Sequence, residues 1–563
     1  MKKFKKMMAL VIAMVMVLGM SMSVFASNSD PTQTDPATTA TTKTITLTGG
    51  KAGHTYTLYQ IFKGDTTTTD NELINLQWGD DANATFKAAY ATAAAAAETM
   101  EGGDARALAQ GWITNSYLGT GTPKQLDADG NVEFTGLEEG YYLVVDTSGP
   151  TTVTEGDYYS AVIVQVVTDV NMALKGSAPT SEKKVDDKND SNTSEDAVNW
   201  QDTADYDIGD AVPFMLKAKA ADNVQAYKQY HITFEDKKSD GLDAPTGNYT
   251  IKVLEQTITL PCNSTSPVSA STGTTNITAE LVTPDSGNTF AIKITLAPEV
   301  TATSGPYLTE GNNEEITVEY SMVLNSSAVI GNPGNPNESY IKYSNNPESS
   351  DDHEEGKTPT DTVVVFTYKA DIDKVDETGA ALNGADFTLY KEVADSNVTG
   401  ATKGSEITFA DGVEHSKISA NKYYVVVGNK TGTSAGSTFE FKGIDDGVYV
   451  LVETTVPAGY NAYESKTVTV TAAHNNDPDE LVVTELTASD PFTANLDAAE
   501  ITKKDGTKHN AVSGELYAEI ENNSGATLPE TGGMGTTLFY IVGAVLVIGA
   551  GVLLVTRRRM SAQ

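Results

Sequence analysis

Gly443-Ile-Asp-Asp-Gly447-Val-Tyr449-Val-Leu-Val-Glu453 matches, position for position in character, an earlier stretch, Gly136-Leu-Glu-Glu-Gly140-Tyr-Tyr142-Leu-Val-Val-Asp146. Each reads as a glycine-bounded turn running into a strand of β-branched and aromatic residues. A second matched pair lies upstream, Tyr56-Thr-Leu-Tyr59 and Phe387-Thr-Leu-Tyr390. Two matches in the same order imply one architecture used at both ends of the chain. Working outward gives a first domain over 43–175, a middle domain over 176–358 and a last domain over 359–526. The boundaries are set by Ala178-Pro179 and by the polar run Asn346-Pro-Glu-Ser-Ser-Asp-Asp-His353. Runs such as Tyr158-Ser-Ala-Val-Ile-Val-Gln-Val-Val167, bounded by Gly, Asn, Asp and Pro, suit antiparallel sandwiches, so the expected fold is mainly β. Ala82 to Asn115, rich in alanine, predicts a short helical insertion in the first domain.

The ends carry processing signals. Lys2, Lys3, Lys5 and Lys6 precede an apolar stretch from Met7 to Met20, and Val24-Phe25-Ala26 supplies small residues before a cleavage point, so 1–26 reads as a signal peptide. The Thr-, Asp- and Pro-rich segment 27–42 reads as a disordered leader. At the other end come Leu528-Pro529-Glu530-Thr531-Gly532, an apolar run from Leu538 to Val555 and Arg557-Arg558-Arg559. That run is long enough to cross a bilayer as a helix, and the arginines hold its end in the cytoplasm. Everything before it then lies outside the cell. This ordered trio over 527–563 resembles the cell-wall sorting signal that sortases read in Gram-positive bacteria. The resemblance implies cleavage between Thr531 and Gly532, transfer of the Thr531 acyl group to an amine, and attachment to peptidoglycan.

Composition narrows the function classes. A formal charge of −38 argues against nucleic acid and anionic lipid as partners. Cys262 is the single cysteine, so an extracellular chain must resist unfolding without an intrachain disulfide. Six histidines lack metal-ligand spacing and no Gly-rich phosphate loop follows a strand, so no metal or cofactor is expected. No Ser/His/Asp arrangement supports an enzyme.

The segment Gly447-Val-Tyr449-Val-Leu-Val-Glu453-Thr-Thr-Val-Pro457-Ala-Gly459-Tyr460 resembles the E-box of pilin subunits built from collagen-adhesin B-type immunoglobulin-like domains. Such domains join a lysine on the first strand to an asparagine on the last through a spontaneous isopeptide bond, with the E-box glutamate as catalyst. The resemblance assigns Lys374, Asn522 and Glu453 to these roles. The chemistry suits them: burial lowers the pKa of a lysine nucleophile and raises that of a carboxyl group, and a neutral acid polarises the amide and assists loss of ammonia. The middle domain resembles the D2-type isopeptide domain of the same pilins. Its candidates are Lys183 as nucleophile, Asp236 as acid and Asn345 as acceptor. Lys183 shares strand parity with Val185, and Asn345 with Tyr343. Lys184 and Asn346 stay open, because a one-residue slip flips the face. Asp146 stands where the last domain has Glu453, and no bond is expected in the first domain.

A polymerising pilin also needs a lysine to receive Thr531 from its neighbour. The family's motif ends in Tyr-Pro-Lys at the first junction, and this chain has Val170-Asn-Met-Ala-Leu174-Lys175 there, a lysine without the Tyr-Pro. Lys175 is the acceptor this position predicts. The resemblance thus implies a structural subunit whose partners are a sortase, identical subunits, peptidoglycan, accessory pilins and a host ligand. A monomeric wall-anchored adhesin is the competing reading.

Overall fold

The structure, a computed structural model, describes residues 42–67, 73–99, 105–148, 155–174, 178–188, 198–221, 224, 227, 229–253, 256–272, 275–296, 315–347, 355–394, 396–409, 415–427, 436–525 and 534–560. The expected signal peptide lies outside these residues, as do Lys175 and the Leu528–Gly532 motif.

Strands sort into three groups of facing sheets. In the first group, Lys43–Thr48 lies between Val132–Leu137 and Val170–Ala173, facing a sheet built on Thr55–Thr66 and Gly140–Asp146. In the last group, Tyr368–Asp376 lies between Thr438–Ile444 and Glu515–Asn522, facing a sheet built on Asp386–Val393 and Gly447–Thr455. The two groups share their register. Thr57, Leu58, Tyr59 and Gln60 pair with Val145, Val144, Leu143 and Tyr142, while Thr388, Leu389, Tyr390 and Lys391 pair with Val452, Leu451, Val450 and Tyr449. The segments matched in sequence are therefore hydrogen-bonded partners in space, which explains why they repeat together. Both groups also pair their opening strand in parallel with their closing strand, Ile45 with Val170 and Lys374 with Ile520, an exception to the antiparallel pattern.

The helical insertion consists of Ala84–Ala89, Ala93–Glu98 and Ala105–Thr114. Asn83 and Thr92 cap the first two by accepting the Phe86 and Ala95 amides, at 3.0 and 3.1 Å. Phe86, Ala93, Ala96 and Trp112 pack against Phe62 and Tyr141 of the sheet. At the C-terminus, Met534–Met560 is a helix whose Ile541–Arg558 stretch is long and apolar enough to cross a membrane.

The middle group has a six-stranded sheet containing Thr180–Asp186, Ala211–Lys219 and Glu315–Val323. It faces a sheet containing Tyr230–Lys238, Asn335–Ser344 and Asp361–Phe366. The last of these corrects the boundary expected at 358/359, since Asp361–Phe366 hydrogen-bonds along Asn335–Ser344. Its parity divides it between two cores: Val363 and Val365 enter the middle core, and Val364 and Phe366 the last. In sequence the composition break at 346–353 separates Asn335–Ser344 from Glu355–Lys357, and these two strands pair within the middle group.

The middle and last groups meet through polar contacts. Asn476 Oδ1 accepts the Asp202 and Thr203 amides, at 3.2 and 3.0 Å. Gly443 has φ +81°, and a Cβ there would lie 2.4 Å from Ile208 Cγ1 of the middle group, so glycine is required at this approach. Lys391, fully buried, donates to Asp445 at 2.5 Å and to Asp207 of the middle group at 3.2 Å. The first group has Gln60 at the corresponding place. Lys391→Met would leave two buried carboxylates without their cation, and a loss of about 3–5 kcal/mol is expected from urea unfolding of the last group. A loss under about 1 kcal/mol would show that water reaches this pair.

Candidate functional site

Two places bring a fully buried lysine beside an acid and an asparagine. In the last group, the parallel register sets Lys374 opposite Ile520 and Asp376 opposite Asn522, so Lys374 and Asn522 project from neighbouring strands of one sheet. Glu453 comes from the facing sheet. Its Oε1 accepts the Asn522 Nδ2 at 2.8 Å, and its Oε2 accepts the Tyr463 amide at 2.6 Å. Among the described residues, Lys374 Nζ donates only to backbone carbonyls, Val375 at 3.2 Å and Ile520 at 3.0 Å. Burial pushes its pKa down to about 8, against the pull of Glu453. Burial raises the Glu453 pKa, although its hydrogen bonds and Lys374 oppose this. The Asn522 Oδ1 is buried without a partner. A lysine eased toward neutrality, an acid eased toward protonation and an amide with an unsatisfied carbonyl are the groups that amide exchange requires.

In the middle group, Lys183 Nζ lies 2.5 Å from Asp236 Oδ2 and 2.8 Å from the Tyr320 hydroxyl. Lys183 and Tyr320 belong to one sheet, Asp236 to the other. Burial lowers the Lys183 pKa, with Asp236 pulling the opposite way. The Lys184 alternative falls away, since its ammonium points outward to Asp202.

Asn345 is not at this site. Asp236 pairs with Ser339, and Asn345 lies six residues further on, on the order of 20 Å at the strand rise per residue. Its backbone oxygen accepts the Tyr159 amide instead, at the junction with the first group. Asn346 is further still. The asparagine beside Lys183 and Asp236 is Asn337, fully buried, with Nδ2 at 3.4 Å from the Tyr320 hydroxyl and Oδ1 without a partner. The signal that points to it is alternation: Asn337 keeps phase with Ile341 and Tyr343, so it faces the core.

In the first group, continuing the shared register puts Gly49 where Lys374 stands. Among the described residues, no lysine is buried in that core. Asp146 pairs with Tyr56 as Glu453 pairs with Phe387, but its carboxylate holds His54, which also reaches Asp157. Burial opposes the charge of His54, yet the two carboxylates outweigh it and raise its pKa to about 9.

The sequence did not reveal three acid-rich clusters: Asp187/Asp205/His474, Asp371/His509/Glu515 and Asp207/Asp210/Asp445. Each contains or touches a basic side chain, His474, Lys369 and Lys391 respectively.

Residues 369–487 match the SpaA prealbumin-like fold domain, and residues 520–561 match the LPXTG cell wall anchor motif. The chain is thus a mainly-β surface protein anchored to the cell wall, carrying a SpaA-type domain. It is 26% identical over 292 residues to the trypsin-resistant surface T6 protein of Streptococcus pyogenes serotype M6, covering 43% of this chain and 48% of the relative. The chain thus spans about half the length of the curated relative it matches. Among solved structures, it is similar to the T6 backbone pilin of the same organism, with 14% identity, a TM-score of 0.47, and 87% and 100% of the two chains covered. It is also similar to the major pilin SpaD of Corynebacterium diphtheriae, with 16% identity, a TM-score of 0.41, and 86% and 98% covered.

Proposed function

We propose that the chain is a structural subunit of a covalently polymerised surface pilus, and that its middle and last groups each carry one Lys–Asn isopeptide bond. The pairs are Lys183–Asn337 with Asp236, and Lys374–Asn522 with Glu453. One observation carries the bond reading: in two separate sandwiches, a fully buried lysine stands with an acid and with an asparagine whose carbonyl has no partner. Leaving the lysine unreacted costs desolvation that bond formation removes, because a buried ionisable amine becomes a neutral amide nitrogen and ammonia is released. The first group, with Gly49 at the lysine's place, forms none. Each triad acts once, so the protein is structural and does not turn over substrate.

The sorting signal supports the polymer. A sortase cleaves after Thr531 and passes its acyl group to a lysine of the next subunit, and Lys175 is the acceptor. It follows Leu174, directly after the closing strand of the first group, and precedes the opening strand of the middle group. An acceptor at that junction and a donor at the far end of the chain allow head-to-tail propagation. Immunoblots of wall extracts are expected to show a ladder resistant to hot detergent. Lys175→Ala should abolish the ladder yet leave anchored monomer, and deletion of Leu528–Gly532 should abolish both. A single wall-bound band from the unaltered chain would make it a monomeric adhesin. A ladder that survives Lys175→Ala would move the acceptor to another lysine, which mass spectrometry of fibres would identify.

A further inference from the structure

The two sites differ in how the acid reaches the amide. In the last group, Glu453 Oε1 touches Asn522 Nδ2, the nitrogen that leaves as ammonia. In the middle group, Asp236 Oδ2 reaches Lys183 Nζ and the Tyr320 hydroxyl, and it is the hydroxyl that meets Asn337 Nδ2. Tyr320 therefore contacts all three members of the set, at 2.8 Å to Lys183, 2.6 Å to Asp236 and 3.4 Å to Asn337.

We propose that Tyr320 is a catalytic residue of the middle site, the proton relay that lets ammonia leave Asn337. This rests on the Lys183–Asn337 reading above. Burial and Asp236 hold the phenol firmly protonated, so it acts as a donor. Asp236 Oδ2 takes one proton from the Lys183 ammonium, and the neutral amine attacks Asn337 Cγ. In the planar amide Nδ2 has no lone pair to receive a proton; in the tetrahedral intermediate it has. Tyr320 then gives its hydroxyl proton to Nδ2 and recovers one from the Lys183 nitrogen it touches. The Cγ–Nδ2 bond breaks, ammonia leaves, and the Nζ–Cγ amide remains. Lys183 has lost two protons, one to Asp236 and one through Tyr320 to ammonia. The hydroxyl's interaction with Nδ2 strengthens only as the intermediate forms, and that selectivity is what accelerates a chemical step.

Tyr320→Phe tests this, because the ring that packs against Phe214, Tyr249 and Phe290 is retained. The full-length chain is made by cell-free synthesis, sampled over time and digested, and the linked Lys183–Asn337 peptide is quantified against the linked Lys374–Asn522 peptide. The variant is expected to form the middle bond at least about 100-fold more slowly, the usual range for losing one proton-transfer group, with the last bond forming at its ordinary rate. The unaltered chain should also form its middle bond more slowly in heavy water, and the residual reaction of the variant should lose most of that isotope effect. A structural hydroxyl would leave the isotope effect unchanged. Wild-type rate and isotope effect in Tyr320→Phe would overturn the relay. Absence of the linked peptide from the unaltered chain would instead overturn the Lys183–Asn337 reading, and the relay with it.

Discussion

Glu453→Ala is expected to yield a folded chain whose last group is no longer cross-linked. Intact mass, set against the value calculated from each sequence, should show a deficit of about 34 Da for the unaltered ectodomain and about 17 Da for the variant, one ammonia fewer. A deficit unchanged by the substitution would sink the assignment. The fold persists because Glu453 accepts hydrogen bonds from Tyr463 and Asn522 at one end of the sandwich, and its truncation leaves the apolar residues of the core in place. Stability is another matter. The Lys374–Asn522 link closes a loop of more than 100 residues and restricts the unfolded chain much as a disulfide does, on the order of 5 kcal/mol. The last group should therefore unfold and be proteolysed well before the middle group, whose own bond is intact. Glu453→Gln serves as a companion: it keeps an acceptor for the Tyr463 amide but cannot carry the proton, so it should lose the same 17 Da or so with a smaller packing loss.

What the sequence revealed about these sites depended on how far each one rests on local pattern. Glu453 sits in a turn-plus-strand motif that occurs twice, and the structure shows the same cross-strand register at both occurrences, so one repeat reports on the other. Lys374 and Asn522 came with it through the family resemblance, as a lysine of the opening strand and the asparagine of the closing strand. In the middle group, parity favoured Lys183 while leaving Lys184 open, and in the structure Lys183 is buried and Lys184 partly exposed, because alternation decides which face a side chain takes. Parity is silent about depth along the strand. Asn337 and Asn345 are both odd-numbered and both buried, and only pairing with a strand distant in sequence tells which lies close to Asp236. The 358/359 boundary failed for a related reason. A polar run resembles a linker wherever it falls, and Asp361–Phe366 reads as one strand whether its two faces serve one core or two.

That ambiguity gives the second large effect. Asn337→Ala is expected to abolish the middle bond completely, removing about 17 Da of the mass deficit, while Asn345→Ala should keep the full deficit. The contrast is sharp because both asparagines are buried with an unpartnered Oδ1, so either truncation relieves one unsatisfied acceptor and opens a similar small cavity. Their general destabilisation should be comparable, and only the covalent consequence differs. In Asn337→Ala, Lys183 keeps Asp236 and Tyr320 as partners, so the site remains paired and the sandwich should fold. The two sheets, however, are no longer joined. Lys183 belongs to one and Asn337 to the other, so the variant should lose resistance to protease and to pulling force across the sandwich. A pulling force that separates sheets held by packing alone meets about 25 cal/mol per Å² of apolar area, whereas an amide must be broken covalently. If Asn345→Ala were instead the variant whose mass deficit fell by one ammonia, the register between Tyr230–Lys238 and Asn335–Ser344 would itself be wrong, since no side-chain motion spans six residues of strand.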